Sequence, residues 1–285
     1  MEATIGLLIR HIRQQLSDSA YSVGEIRAIT HIIFQHYANI NPADLYISFD
    51  KQLSNKIECE INSALLQLKE QRPLQYIIGK TEFYGLPFLI NENVLIPRPE
   101  TEELVQWIIK DNEKKDSIIP ILDIGTGSGA IAVALAKKIK KTEVYALDIS
   151  VNALQLAKKN AQINNVSIQF INEDILAENR ILPSKFACIV SNPPYVRNSE
   201  KAQMQANVLD YEPHVALFVE DTNPLIFYEA IAKVAEKYLL PDGAIYVEIN
   251  EALPDETEML FRQFGFKTMV RTDINEKPRM LKAWL

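Results

Sequence analysis

From residue 118 onward the chain alternates between short apolar runs and stretches with helical spacing, and this alternation restricts the fold more than any other feature. The apolar runs end near Ile124, Asp148, Ile171, Ser191 and Glu248. Helical patterns follow at about residues 130–139, 151–164, 224–240 and 254–264. Continuously apolar strands need cover on both faces, and helices returning the chain between them supply it. The repeat therefore predicts an α/β domain on a mainly parallel sheet. Leu240-Pro241-Asp242-Gly243 reads as a turn before the run ending at Glu248, and the stretch from Met280 to Trp284 reads as a last strand. Ligands of such sheets bind outside the carboxyl ends of the strands, so chemistry is expected at those ends.

The first end carries Ile121-Leu122-Asp123-Ile124-Gly125-Thr126-Gly127-Ser128-Gly129-Ala130. Glycine permits a sharp turn and a close approach of backbone to ligand at a helix N terminus. The spacing fits a G-x-G-x-G loop, and Ala130 also satisfies the dinucleotide pattern G-x-G-x-x-G/A. Either way a nucleotide-like ligand would lie against Gly125, Thr126, Gly127, Ser128 and Gly129. The second end, Asp148, stands where a carboxylate accepts both hydroxyls of a ribose. It would otherwise cap the next helix, a duty that Ser150 can perform. The third end, Asn172-Glu173-Asp174-Ile175, either receives an adenine amine on Asp174 and its ring on Ile175, or forms a solvated acidic loop.

The fourth end is Asn192-Pro193-Pro194-Tyr195. Two prolines stiffen the loop and remove its N–H donors, leaving carbonyls beside the Asn192 side-chain acceptor and the flat ring of Tyr195. Two acceptors and an aromatic wall suit a planar NH2 group. The plainer alternative is a proline turn after a strand.

The 285 residues allow one large and one small domain. A formal net charge of −7 argues against an extended phosphate-binding face and suits a cationic ligand. Residues up to about 80 carry apolar stripes at 5–16, 23–34 and 57–68, which predict helices, and Asn41-Pro42-Ala43-Asp44 reads as a helix start. Residues 81–90 read as a hairpin turning near Gly85. Pro97-Arg98-Pro99-Glu100-Thr101-Glu102 opens a further helix. The expected division is a helical domain at 1–78, a hairpin linker at 79–96 and the α/β domain at 97–285. Cys59 and Cys188 read as reduced core residues in a cytoplasmic protein, and neither they nor the histidines show metal-ligand spacing. No run is apolar enough to predict a membrane span.

Taken in order, the acidic glycine loop, Asp148, Asp174-Ile175 and Asn192-Pro193-Pro194-Tyr195 resemble S-adenosylmethionine-dependent methyltransferases acting on amide or exocyclic amine nitrogens. Upstream, Arg72-Pro73-Leu74-Gln75-Tyr76-Ile77-Ile78-Gly79, Glu82-Phe83-Tyr84-Gly85 and the Pro97–Glu102 stretch narrow the resemblance to the PrmC/HemK family, as does Tyr211-Glu212-Pro213-His214. One difference is Ile249-Asn250-Glu251, where many relatives carry Gly and Gln after the acid. The resemblance implies a Rossmann-like methyltransferase domain with a seven-stranded, mostly parallel sheet whose last strand is antiparallel. It implies S-adenosyl-L-methionine as cofactor, with S-adenosyl-L-homocysteine as product. The cofactor would be held by residues 125–129, Asp148, Asp174, Ile175 and Asn192. The substrate would be the glutamine of the Gly-Gly-Gln loop of class I peptide-chain release factors, held by Asn192, Pro193, Pro194 and Tyr195. Arg98 and Glu100 are weaker site candidates. Direct nucleic-acid binding is not expected, although DNA adenine methylation remains the alternative because it uses the same acceptors.

Overall fold

The computed structural model describes residues 3–19, 21–113, 115–178 and 181–285. They form two compact units, Met1–Gly79 with Ala206–Tyr211, and Lys80–Gln205 with Glu212–Leu285.

The first unit contains α1 (Ile5–Leu16), α2 (Val23–Ala38), α3 (Pro42–Ile47), α4 (Asn55–Lys69) and α5 (Leu74–Ile78). Hydroxyl side chains start three of them. Thr4, Ser22 and Ser54 each accept from the backbone N–H three residues on, satisfying a donor that has no intrahelical partner. Their apolar stripes meet in one cluster that includes Ile12, Phe34, Leu45, Ile61 and Leu68, where each fully buried side chain contributes about 1.5–3 kcal/mol. Cys59 corrects the sequence expectation, because it is exposed whereas Cys188 is buried. The buried stripe of α4 includes Ile61, Ala64, Leu65 and Leu68, and a residue two positions before Ile61 lies roughly 200° around the helix.

The second unit opens with an antiparallel hairpin, β1 (Lys80–Phe83) and β2 (Leu86–Leu89). Phe83, Leu86 and Phe88 join this unit's core, so the hairpin expected as a linker is part of the unit. The order continues as α6 (Pro99–Asn112), β3 (Ile119–Ile124), α7 (Ala130–Lys138), β4 (Thr142–Asp148), α8 (Val151–Ile163), β5 (Ile168–Asn172) and β6 (Phe186–Ser191). After the short β7 (Val196–Arg197) comes α9 (Ala206–Tyr211), which is grouped with the first unit. Then follow β8 (Phe218–Val219), α10 (Ile226–Tyr238), β9 (Leu239–Glu248), α11 (Pro254–Gln263), β10 (Lys267–Thr272) and β11 (Pro278–Trp284).

Seven strands form one sheet in the order β10-β11-β9-β6-β3-β4-β5. The pairs from β9 to β5 are parallel, and β11 runs antiparallel to both neighbours. Alternate side chains of each strand face opposite layers. Ile119 and Ile121 pack with Leu104, Ile108 and Val133 on one face, and Leu122 and Ile124 with Tyr228, Ile231 and Phe261 on the other.

Two details depart from the sequence reading. Residues 240–243 lie within β9, where the register jumps from Phe186↔Leu239 to Cys188↔Ala244, so the expected turn is an outward bulge. Strand β10 was not expected. It is an edge strand whose side chains are all exposed or half-buried, so its apolar signal is weak.

Among the described residues no helix is long and apolar enough to cross a membrane, and no group of three or more His, Cys, Asp or Glu is placed to hold a metal ion.

Candidate active site

Register places the ends of four strands side by side. Ile124 pairs with Leu147 and Ser191, and Asp148 with Asn172. The Ser191 hydroxyl donates to the Ile124 carbonyl at 2.7 Å, tying β3 to β6 where the strand order reverses, the usual position for a crevice. A cavity of about 270 Å³ opens there, and Gly125, Thr126, Gly127, Ser128, Asp148, Asp174, Ile175, Asn192, Pro193 and Pro194 all line it. Gly129 and Tyr195, expected in the same site, lie outside the lining.

The loop after β3 is held from both sides. Gly125 and Thr126 N–H donate to the Leu147 carbonyl at 2.8 and 3.0 Å. Gly127 N–H donates to Asp148 Oδ2 at 2.8 Å, and Ser150 N–H to its Oδ1 at 2.8 Å. Ser150 also caps α8, accepting from Ala153 N–H at 3.2 Å, as expected. Burial raises the Asp148 pKa against the pull of these N–H donors. Gly127 has φ +54°, and a Cβ there would meet no protein atom within 4 Å, so its glycine leaves the backbone bare toward the cavity. Gly129 has another reason to be glycine. With φ +81°, its Cβ would stand 3.0 Å from the Ala157 Cβ, so it permits close packing of α7 on α8.

Beneath the loop is Asp123, fully buried. Its Oδ2 accepts from the Thr126 hydroxyl at 2.6 Å and Ala132 N–H at 3.2 Å, while Oδ1 has no hydrogen-bond partner among the described residues. Loss of water pushes its pKa up to about 7, against those two bonds. Asp174 accepts from Leu176 N–H at 2.8 Å, which shapes the loop that presents Ile175.

Asn192 Nδ2 donates to the Thr101 hydroxyl at 3.2 Å, and that hydroxyl donates to Glu248 Oε2 at 2.7 Å. The Tyr195 hydroxyl donates to Glu248 Oε1 at 2.8 Å, and its ring packs against the core on the face that holds Tyr228 and Ile231. Burial and the Glu248 charge hold the Tyr195 phenol well above its usual pKa. Asn250, in the stretch that differs from many relatives, donates to the Tyr195 carbonyl at 3.0 Å. Arg98 lines the cavity and pairs with the buried Glu212, which also accepts from Ile96 N–H at 3.2 Å. Glu100 is not in the lining. Sequence reasoning assigned no role to Asp123, Thr101 or Glu248. Asp123 sits inside the glycine motif, but Thr101 and Glu248 meet only through the sheet order.

Residues 8–79 match the family described as "PrmC N-terminal domain", and residues 101–211 match "Methyltransferase small domain". The release factor glutamine methyltransferase of Flavobacterium psychrophilum is 48% identical over 283 residues, spanning 97% of this chain and 99% of that protein. The chain belongs to the release factor glutamine methyltransferase family. A second member, from Bacteroides thetaiotaomicron, is 39% identical over 274 residues, covering 96% and 97% of the two chains. The fold is shared more widely: a methyltransferase from Pyrococcus furiosus superposes with a TM-score of 0.52 at 17% identity, covering 81% of this chain and 98% of that one. Within the family frame, the first match ends at Gly79, where the first unit's main segment also ends.

Proposed function

We propose that this protein methylates the side-chain amide nitrogen of the glutamine in the Gly-Gly-Gln loop of class I peptide-chain release factors, using S-adenosyl-L-methionine in the cytoplasm. The observation that carries the reading is the Asn192 side chain. Its NH2 is turned toward Thr101, which leaves its carbonyl oxygen as the acceptor end beside Pro193.

The cavity suits the cofactor. Asp148 lines it and would accept from ribose hydroxyls, Ile175 offers an apolar surface for a base, and Gly125 and Gly127 leave room for close backbone approach. Asp148, Glu173 and Asp174 line it against one cation, Arg98, already paired with Glu212, a balance that favours a sulfonium. When bound, the cofactor would supply a methyl group on positive sulfur, with a neutral thioether as the leaving group.

An amide nitrogen is a weak nucleophile because its lone pair is delocalised, so the site works by orientation and charge. Asn192 Oδ1 and the Pro193 carbonyl each accept one N–H of the substrate amide and fix the nitrogen in line with the methyl. As positive charge grows on nitrogen, the negative ends of these two dipoles stabilise it. The nitrogen then loses a proton to water by way of those acceptors. Pro193 and Pro194 bring no N–H donor to compete with the substrate. Residues 1–78 serve as the docking domain and 97–285 as the catalytic domain, the hairpin region 79–96 between them packs on the catalytic core, and Tyr195 acts by holding its loop.

The test is label transfer from radiolabelled S-adenosylmethionine. Wild-type release factor should be labelled, whereas a factor with the loop glutamine changed to alanine and duplex DNA should not. Label on DNA would replace this reading with adenine methylation, and label on neither would overturn it.

A further inference from the structure

Transfer needs the Asn192 carbonyl oxygen, not its NH2, to face the acceptor, and a side-chain amide can turn end for end with almost no change in shape. We infer that Thr101 and Glu248 are positioning residues that lock the Asn192 side chain in its transfer-competent orientation. The inference rests on the function proposed above.

The three residues come from separate elements: Thr101 from the first turn of α6, Asn192 from the residue after β6, and Glu248 from the end of β9. A hydroxyl has one proton, and an ionised carboxylate only accepts. Thr101 Oγ1 and the Tyr195 oxygen lie 2.7 and 2.8 Å from the two carboxylate oxygens of Glu248, so both hydroxyl protons are committed to the carboxylate. Thr101 then has only lone pairs to offer Asn192, 3.2 Å away, and only Nδ2–H can answer them. A reversed amide would set Oδ1 against Oγ1, two acceptors with no proton between them. Thr101 and Glu248 are 4% and 2% exposed, so water does not readily repair that mismatch. Burial raises the Glu248 pKa, while the hydroxyls of Thr101 and Tyr195 and the charge of Arg279, itself bound to Asp273 and Glu251, act in favour of the carboxylate. Tyr228 faces the same residue and donates to its backbone carbonyl at 3.1 Å. One carboxylate thus fixes both ends of the Asn192–Tyr195 segment, the first through Thr101 and the last directly.

The test uses full-length protein with Thr101→Val, which keeps the shape of the side chain and removes the hydroxyl, with Thr101→Ser, which keeps the hydroxyl, and with Glu248→Gln. Steady-state kinetics are paired with an NMR readout independent of turnover: the side-chain NH2 resonances of Asn192 in protein labelled with 15N-asparagine, assigned by Asn192→Ala. Thr101→Val should lower kcat roughly ten- to a hundredfold, the scale of a buried polar group losing its partner. KM for the release factor and cofactor affinity should change little, and the Asn192 NH2 protons should shift and exchange faster. Thr101→Ser should restore both the rate and the resonances. Glu248→Gln can donate as well as accept, so the chain can run in either direction, giving an intermediate kcat and broadened or doubled Asn192 resonances. Wild-type resonances in Thr101→Val, or a Thr101→Ser that fails as Thr101→Val does, would overturn the lock. If the wild-type protein methylates no release factor, the functional reading falls, and the resonances of the two Thr101 variants still decide the lock.

Discussion

Asn192 offers the only side-chain acceptor in the proposed pair that grips the substrate amide, so its loss should act on the transfer step. Asn192→Ala should lower kcat on the order of a hundredfold or more, as loss of one transition-state hydrogen-bonding group does elsewhere. Cofactor affinity, measured by calorimetry, should change only modestly, and a wild-type rate would sink the positioning role. Asp123 makes a prediction about stability rather than rate. Its pKa rises from 3.8 to about 7 on folding, chiefly because the carboxyl is removed from water. Between those values the unfolded chain has released the proton and the folded chain still holds it. Stability therefore falls as pH rises through this window, by at most roughly 1.4 kcal/mol per unit, and the penalty is complete above pH 7. Asp123→Asn should flatten that slope in urea unfolding measured from pH 4 to pH 7.5. Parallel profiles for the two proteins would show that Asp123 does not titrate in this way.

At the scale of elements, the glycine loop separates into two tasks. Gly127 lines the cavity, whereas Gly129 stands against Ala157 of α8. Both adopt positive φ, which costs an L residue about 1–2 kcal/mol. Gly129→Ala should therefore lower stability by about 1–3 kcal/mol, strain and contact together, while cofactor affinity follows only as far as the fold loosens. Gly127→Ala should lower stability less and cofactor affinity more, because its Cβ occupies ligand space. Melting and calorimetry on both variants check this, and the opposite pattern would refute the division. The same elements explain what could be read in the sequence. Strands β3, β4, β6 and β9 were readable because sheet and helices bury them as apolar runs, β5 because Ile168, Phe170 and Ile171 keep it apolar although it is only half-buried at the other sheet edge, and Gly127, Asp148 and Asn192 because each sits at or just past the end of such a run. Strand β10 was not, since four of its six residues are exposed at the sheet edge. Thr101 and Glu248 carried no local signal: 147 positions separate them, and only the placement of α6 against the end of β9 makes them partners. Tyr195 was found as part of a motif, but its hydroxyl faces Glu248 rather than the cavity.

At the scale of the whole molecule, the chain passes between the units more than once. It leaves the first after Gly79, returns for Ala206–Tyr211, and re-enters the second at Glu212. Glu212 is 4% exposed and holds Arg98 and the Ile96 N–H, so the returning chain is fastened to the strand-end side of the cavity at its first residue. Every residue lining that cavity belongs to the second unit. The cavity's own core, in which both faces of the sheet are covered, is likewise made from residues of that unit. A chain of residues 80–285 should therefore fold and bind S-adenosylmethionine with a dissociation constant within a few-fold of the full protein. Its transfer of label to intact release factor should be lost, because the proposed docking helices are gone. Calorimetry and label transfer on the same preparation separate the two effects. Weak cofactor binding by a folded 80–285 chain would mean that the first unit completes the cofactor site, and undiminished transfer would remove the docking role from residues 1–78.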